Sequence, residues 1–216
     1  MAEKIETIYA PCDRAIKALN REMVEDFGRM KLTKWDELNI VRKVTELYRK
    51  SAQKARKRYY EVAFEAYVLI LLWNGIDTRK AHAMAEKAIT EKWVDTILEE
   101  PDVLTLYAFD TETERKAQKL AETLSVAQAK DLEIDRAMRD WSKHVGQYAI
   151  NFTDYAAMQA FEDAGIEKVE WVTQKDERVC SKCGPLDGKI FRLEDVPVKP
   201  HWGCRCFWKA VLYKTD

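Results

Sequence analysis

Five soft metal donors sit in one short stretch of this 216-residue chain: Cys180-x2-Cys183, then His201-x2-Cys204-x-Cys206. Four of the five cysteines and one of the three histidines lie there. The surrounding residues, 165–216, also carry three of the five prolines. A segment that short has too little apolar surface to bury a core of its own, and a bound metal commonly supplies the missing folding energy. Two pairs of equal x2 spacing predict one structural, tetrahedral zinc site. Cys180, Cys183, His201 and Cys204 form the preferred set, and Cys206 is a fifth candidate able to replace His201 or Cys204.

Rival chemistries need other features. A Cys-x-x-Cys redox pair needs a helix N-terminus in a βαβ setting, whereas this pair precedes a turn. A catalytic zinc needs an open position and a general acid or base. Val179 precedes Cys180, Trp202 follows His201, and the sequence has no His-Glu-x-x-His. A non-enzymatic protein is therefore expected. The odd cysteine count argues against a complete disulfide framework, and a reducing, intracellular site of synthesis fits best. Cys12, far from the cluster, reads as a small buried or half-buried thiol, and His82 and His144 as surface or packing residues on helices.

Around the donors the text is strand-like. Val169, Trp171 and Thr173 alternate with polar residues, Leu186-Asp187-Gly188-Lys189 supplies an Asp-Gly hairpin turn into Ile190-Phe191, and Cys206 to Tyr213 reads as a further strand. Residues 1–164 read instead as helix. Thr33 with Asp36 forms a capping box that opens a helix of about 40 residues. Its stripe runs Leu38, Val41, Thr45, Tyr48, Ala52, Ala55, Tyr59, Val62, Ala66, Leu69 and Trp73, and Asn74-Gly75 stops it. Asp77 or Thr78 opens the next helix, which Pro101 ends, and Thr111 with Glu114 offers another capping box. A second stripe, Ile134, Met138, Trp141, Val145, Tyr148, Phe152 and Tyr155, alternates steps of four and three like a coiled-coil seam. The two striped helices are expected to pack on each other within the chain, with docking on a partner subunit as the alternative. The expected fold is mainly α: a long-helix body, 1–164, followed by a small zinc-stabilised, β-hairpin-containing C-terminal module, 165–216.

Charge excludes a bulk attraction to nucleic acid or anionic lipid, since 36 basic and 37 acidic residues leave a net −1. One basic run stands out: Arg49, Lys50, Lys54, Arg56, Lys57 and Arg58, beside Tyr59 and Tyr60. It is the candidate DNA-contact strip, and its ordinary alternative is a solvated helix face. The longest continuous apolar run, Ala66 to Trp73, is far too short to span a bilayer, and the first residues lack a signal core, so no membrane segment is expected.

The compound pattern Trp171-Val-Thr-x-x-Asp176-x-Arg178-x-Cys180-x-x-Cys183, Leu186-Asp187-Gly188-Lys189-x-Phe191 and Pro200-His201-x-x-Cys204-Arg205-Cys206 resembles the C-terminal signature of the phage Mu protein F family. These are minor head proteins of tailed bacteriophages, also called phage head morphogenesis proteins. The approach to it, DYAAMQAFEDAGIEKVEW from Asp154, is similar as well. The resemblance implies a virion component in few copies, inside the capsid near the portal, assembled in the host cytoplasm. It implies a role in head morphogenesis and genome delivery, with the portal protein, the major capsid protein or scaffold, and phage DNA as partners. It also implies that Cys180, Cys183, His201, Cys204 and Cys206 are signature positions and that Asp176 and Arg178 brace the metal knuckle. Trp202-Gly203 departs from the more usual Pro-Asn, and no extra enzymatic domain is expected to follow. Residues 1–164 match only in general character. The alternative function is a zinc-stabilised DNA-binding protein acting on the phage genome.

Overall fold

The computed structural model describes residues 2–31, 37–101, 106–175, 177, 179–204 and 206–211. Among these, six helices precede a small sheet: α1 (Ala2–Lys31), α2 (Glu37–Trp73), α3 (Thr78–Ala88), α4 (Glu91–Glu99), α5 (Phe109–Val126), α6 (Lys130–Asp163), then β1 (Lys168–Val172), β2 (Ile190–Arg192) and β3 (Phe207–Ala210). No described helix is long and apolar enough to cross a membrane.

Two compact units form, and they do not follow the order of the chain. One comprises residues 1–12, 61–90 and 150–216, the other 13–60 and 91–149. Helices α1, α2 and α6 contribute residues to both. The boundary expected at 164/165 coincides with the end of α6, yet the sheet shares a unit with pieces of three helices.

The unit of 13–60 and 91–149 is built on aromatic packing. Phe109, wholly buried, lies against Tyr59, Trp141, His144 and Tyr148 with ring centroids 5.0 to 5.8 Å apart. Trp141 also meets Tyr48, whose other side packs on Phe27. Its indole N–H donates to Ser51 Oγ at 2.8 Å, and the Tyr59 hydroxyl donates to the Val145 carbonyl at 3.0 Å. His144 is thus a core residue stacked on Phe109 and Trp141. Phe109 explains a second difference from the sequence reading. The Thr111–Glu114 box does not cap α5, which starts at Phe109 after Ala108, with no side-chain cap. Burying that phenyl ring, on the order of 2–3 kcal/mol, outweighs a cap of about 1 kcal/mol.

The stripes hold in their middle and fail at their ends. In α2, Tyr48, Ala52, Ala55, Tyr59, Val62 and Ala66 are buried, but Val41 is 61% exposed while Ile40 and Val44 turn inward. In α6 Ile134, Trp141, Val145, Tyr148 and Phe152 are buried as expected and Met138 is half-buried, and the stripe then shifts to Ala156 and Ala160, leaving Tyr155 46% exposed. An undistorted helix drifts about 20° per heptad from a strict seven-residue repeat, so a seam of this length cannot stay on one line. Thr33 and Asp36 lie outside the described residues, as do the side chain of Leu38 and residues Leu212 and Tyr213.

The single helix expected from Asp77 to Pro101 is two. Asp77 caps the first, accepting from the Lys80 backbone N–H at 3.1 Å, and α3 ends at Ala88. Its buried residues continue as Ala81, Ala85 and Ile89, whereas α4 buries Val94 and Leu98. Val94 comes five positions after Ile89, a step that on a continuous helix would rotate the stripe by about 140°. The break between the helices lets each bury its own face.

Two glycines end helices and re-aim the chain. Gly75 follows α2 with φ +82° and Gly165 follows α6 with φ +72°. Both close Schellman motifs: Ile76 N bonds Leu71 O and Gly75 N bonds Leu72 O, while Ile166 N bonds Phe161 O and Gly165 N bonds Glu162 O. From the second, β1 enters the centre of an antiparallel sheet in the order β2-β1-β3. Val169 faces Phe191 on one side and Ala210 on the other, and Trp171 pairs with Trp208. The two indoles meet edge to face at 5.9 Å.

Asp187-Gly188 is not the tight two-residue hairpin expected. Residues 173–189 form the whole connection between β1 and β2. The stretch before Asp187 is a 3-10 turn, Gly184–Leu186, so no strand is there to pair with β2. The Asp187 carboxylate instead ties the loop shut, accepting from the Thr173 N–H at 2.8 Å and its hydroxyl at 3.0 Å.

Candidate metal centre

The loop between β1 and β2 carries Cys180 and Cys183, and the segment leading into β3 carries His201, Cys204 and Cys206. A tight turn shapes the first pair: Cys183 N and Gly184 N both bond the Cys180 carbonyl, at 3.1 and 3.0 Å. The Cys183 N–H also points at Cys180 Sγ, 3.3 Å away. That is a thiolate-binding knuckle made by backbone alone.

All five donors come together, in two overlapping groups. Sulfur and ring-nitrogen atoms of Cys180, Cys183 and His201 lie within 4.8 Å of one another, and so do those of Cys183, Cys204 and Cys206. Cys183 belongs to both. Its sulfur is 3.6 Å from Cys204 Sγ and 3.9 Å from His201 Nε2, and that nitrogen is 3.1 Å from Cys180 Sγ. Donors about 2.0–2.3 Å from a tetrahedral zinc stand about 3.6–3.8 Å from each other. The first separation falls in this range, the second is just above it and the third is about half an ångström short. The preferred foursome does not form one compact group by the same measure, since Cys204 joins through Cys183.

The tautomer fits as well. His201 Nδ1 is 2.8 Å from the Trp202 carbonyl, to which it donates, so Nε2 turns its lone pair toward the two sulfurs. A ligating imidazole is normally oriented in this way by a carbonyl on its other nitrogen. No disulfide forms among the cysteines. Burial acts to raise the Cys180 thiol, but the N–H groups of Cys183 and Lys182, with His201, bring it down to about 7. A hydrogen bond from Cys206 holds Cys204 well below the usual thiol range, and the same bond pushes Cys206 up. Burial pushes Cys183 up to about 12. A metal bound by these sulfurs would release the protons that the raised thiols still hold. Asp176, Arg178 and Arg205 lie outside the described residues.

Sequence reasoning missed three residues beside the cluster: Tyr9, Asp154 and Lys199. Lys199 Nζ donates to Asp154 at 2.8 and 2.7 Å and to Tyr9 Oη at 2.8 Å. It also sits 5.2 Å from the Tyr9 ring centroid and 5.0 Å from that of Trp208. The Tyr9 hydroxyl donates to Asp154 at 2.5 Å. Burial raises the Asp154 carboxyl, against the pull of Lys199 and Tyr9, and burial with Asp154 raises the Tyr9 phenol. No short motif could have signalled this group, since its members lie 45 to 190 residues apart.

The basic run of α2 is engaged within its own unit. Arg49 pairs with Glu114, Lys50 and Lys54 with Asp26, Arg56 with Asp95 and Asp110, and Arg58 with Glu22. Lys57 is exposed and makes no ion pair among the described residues. The carboxylates neutralise most of the field that would attract phosphate.

No curated protein and no solved structure matches the chain. A family model does, the one described as Phage Mu protein F like protein, over residues 111–209. That region begins in α5, takes in all of α6, and holds all five donors and two members of the Lys199 network. Over residues 111–209, a little under half of its length, the chain is similar to the phage Mu protein F-like family.

Proposed function

We propose that the chain is a minor head protein of a tailed bacteriophage, working by docking and not by catalysis. The observation that carries this reading is the family match over residues 111–209, which includes the whole donor cluster. In the proposed role it lies inside the capsid near the portal, acts in head morphogenesis and accompanies genome delivery, with the portal protein and the major capsid protein or scaffold as partners. One zinc ion, held by Cys180, Cys183 and His201 with Cys204 or Cys206 as fourth ligand, fixes the loops around the sheet. Soft thiolates and an imidazole favour zinc over hard cations, and four protein ligands fill its tetrahedral shell. DNA handling is the weaker reading, because the basic run of α2 already faces carboxylates.

The test is position and stoichiometry in purified particles. Mass spectrometry should find a few copies per head, and asymmetric reconstruction should put them at the portal vertex. Absence from the particle, or hundreds of copies spread over the shell, defeats the proposal.

A further inference from the structure

The Tyr9–Asp154–Lys199 network holds the donor segment at both of its ends. Lys199 lies two residues before His201, and all three of its N–H donors have oxygen acceptors within 2.8 Å: both Asp154 oxygens and Tyr9 Oη. At the other end, the Tyr9 ring packs edge to face on Phe207 at 6.3 Å, with its hydroxyl oxygen 3.4 Å from the Cys206 carbonyl while its one proton goes to Asp154. Between these two grips run His201, Cys204 and Cys206. The Lys199 and Asp154 side chains are each only 9% exposed. A buried ion pair is a poor device for stability alone, since apolar groups of the same size often do as well or better. Its usefulness is in fixing direction: Tyr9 of α1 and Asp154 of α6, bonded to each other, both bond Lys199 at the start of the donor segment.

We propose that Lys199, with Asp154 and Tyr9, is the positioning element that sets the His201–Cys206 segment against the Cys180–Cys183 knuckle for metal binding. The proposal rests on the zinc reading above.

The experiment measures zinc affinity of the full chain by competition with a chromophoric chelator, and the electronic spectrum of the cobalt(II)-loaded protein. Lys199→Met should weaken zinc binding about 10- to 100-fold, as outer partners of metal ligands generally do, and shift the cobalt d–d bands. Lys199→Arg should restore part of the affinity. Tyr9→Phe, which keeps the ring and deletes one hydroxyl, should cost about 3- to 10-fold and decides the matter if Lys199→Met fails to fold. Wild-type affinity with an unchanged cobalt spectrum in the folded variants overturns the positioning role. A wild-type chain that binds neither zinc nor cobalt overturns the metal reading itself and this inference with it.

Discussion

Cys183 and Cys204 lie 21 positions apart in sequence, yet their sulfurs are 3.6 Å apart, and Cys183 alone belongs to both donor groups. The site therefore has one hub and four spokes, and the five donors are not equivalent. Protein purified without added metal should contain about one zinc per chain by elemental analysis. Cys183→Ser should lose it entirely, while Cys206→Ser should keep most of it. Equal losses in the two variants would remove the hub.

Chelation should loosen one unit and spare the other. The sequence reading would let 165–216 unfold alone, but that segment shares a unit with 1–12, 61–90 and 150–164. Hydrogen exchange after zinc removal should rise across those four stretches, with Tyr67 to Leu71 of α2 included. Residues 13–60 and 91–149, packed around Phe109 and Trp141, should keep their protection. Unchanged exchange in 61–90 would restore the simpler two-part division.

The basic run can be dissected by substitution. Lys57→Glu should change stability by no more than about 0.5 kcal/mol, as exposed sites usually do. Arg56→Glu sets a like charge against Asp95 and Asp110 and removes a guanidinium 5.8 Å from the Phe109 ring centroid, costing about 1–2 kcal/mol. If DNA is a partner, the logarithm of its binding constant will fall steeply with the logarithm of salt; a slope near zero is expected. A steep slope abolished by Lys57→Glu would revive the DNA reading.

Acid should weaken the 13–60 and 91–149 unit through Asp26. Its carboxylate is 7% exposed. Burial acts to raise its pKa, but Lys54 and Lys50 overcome that and hold it below the usual carboxylate range. A depressed folded pKa contributes stability above the unfolded value, near 4, that disappears as pH falls through the folded one. Asp26→Asn should cost about 1–2 kcal/mol at pH 7 and flatten the decline below pH 4 in denaturant melts. An acid limb as steep as wild type would place the effect elsewhere, with Glu112 the next carboxylate to change.

Periodicity and spacing gave the helical stripes and the grouping of the donors more fully than the joints. The middle of both stripes, the stop at Gly75 and the strand at Val169 and Trp171 were legible because each is set by neighbours within one or two turns, and the clustering of the donors was legible because their residue types and spacing share one chemistry. The ends of the stripes were not, since α2 turns Ile40 inward instead of Val41, and α6 moves from Phe152 to Ala156. The break at Ile89 needed knowledge of which face each helix buries. Tyr9, Asp154 and Lys199 are ordinary residues in their local text. Only the fold gives them one another.

The sheet order has a consequence for biosynthesis. Strand β1 lies at the centre, and both of its partners follow it in the chain. As it leaves the ribosome it therefore has two open edges, neither partner strand having yet been made, the condition that invites strand-to-strand association between nascent chains. That exposed interval ends only when Phe207–Ala210 has been synthesised, and every one of the five metal donors is added to the chain while it lasts.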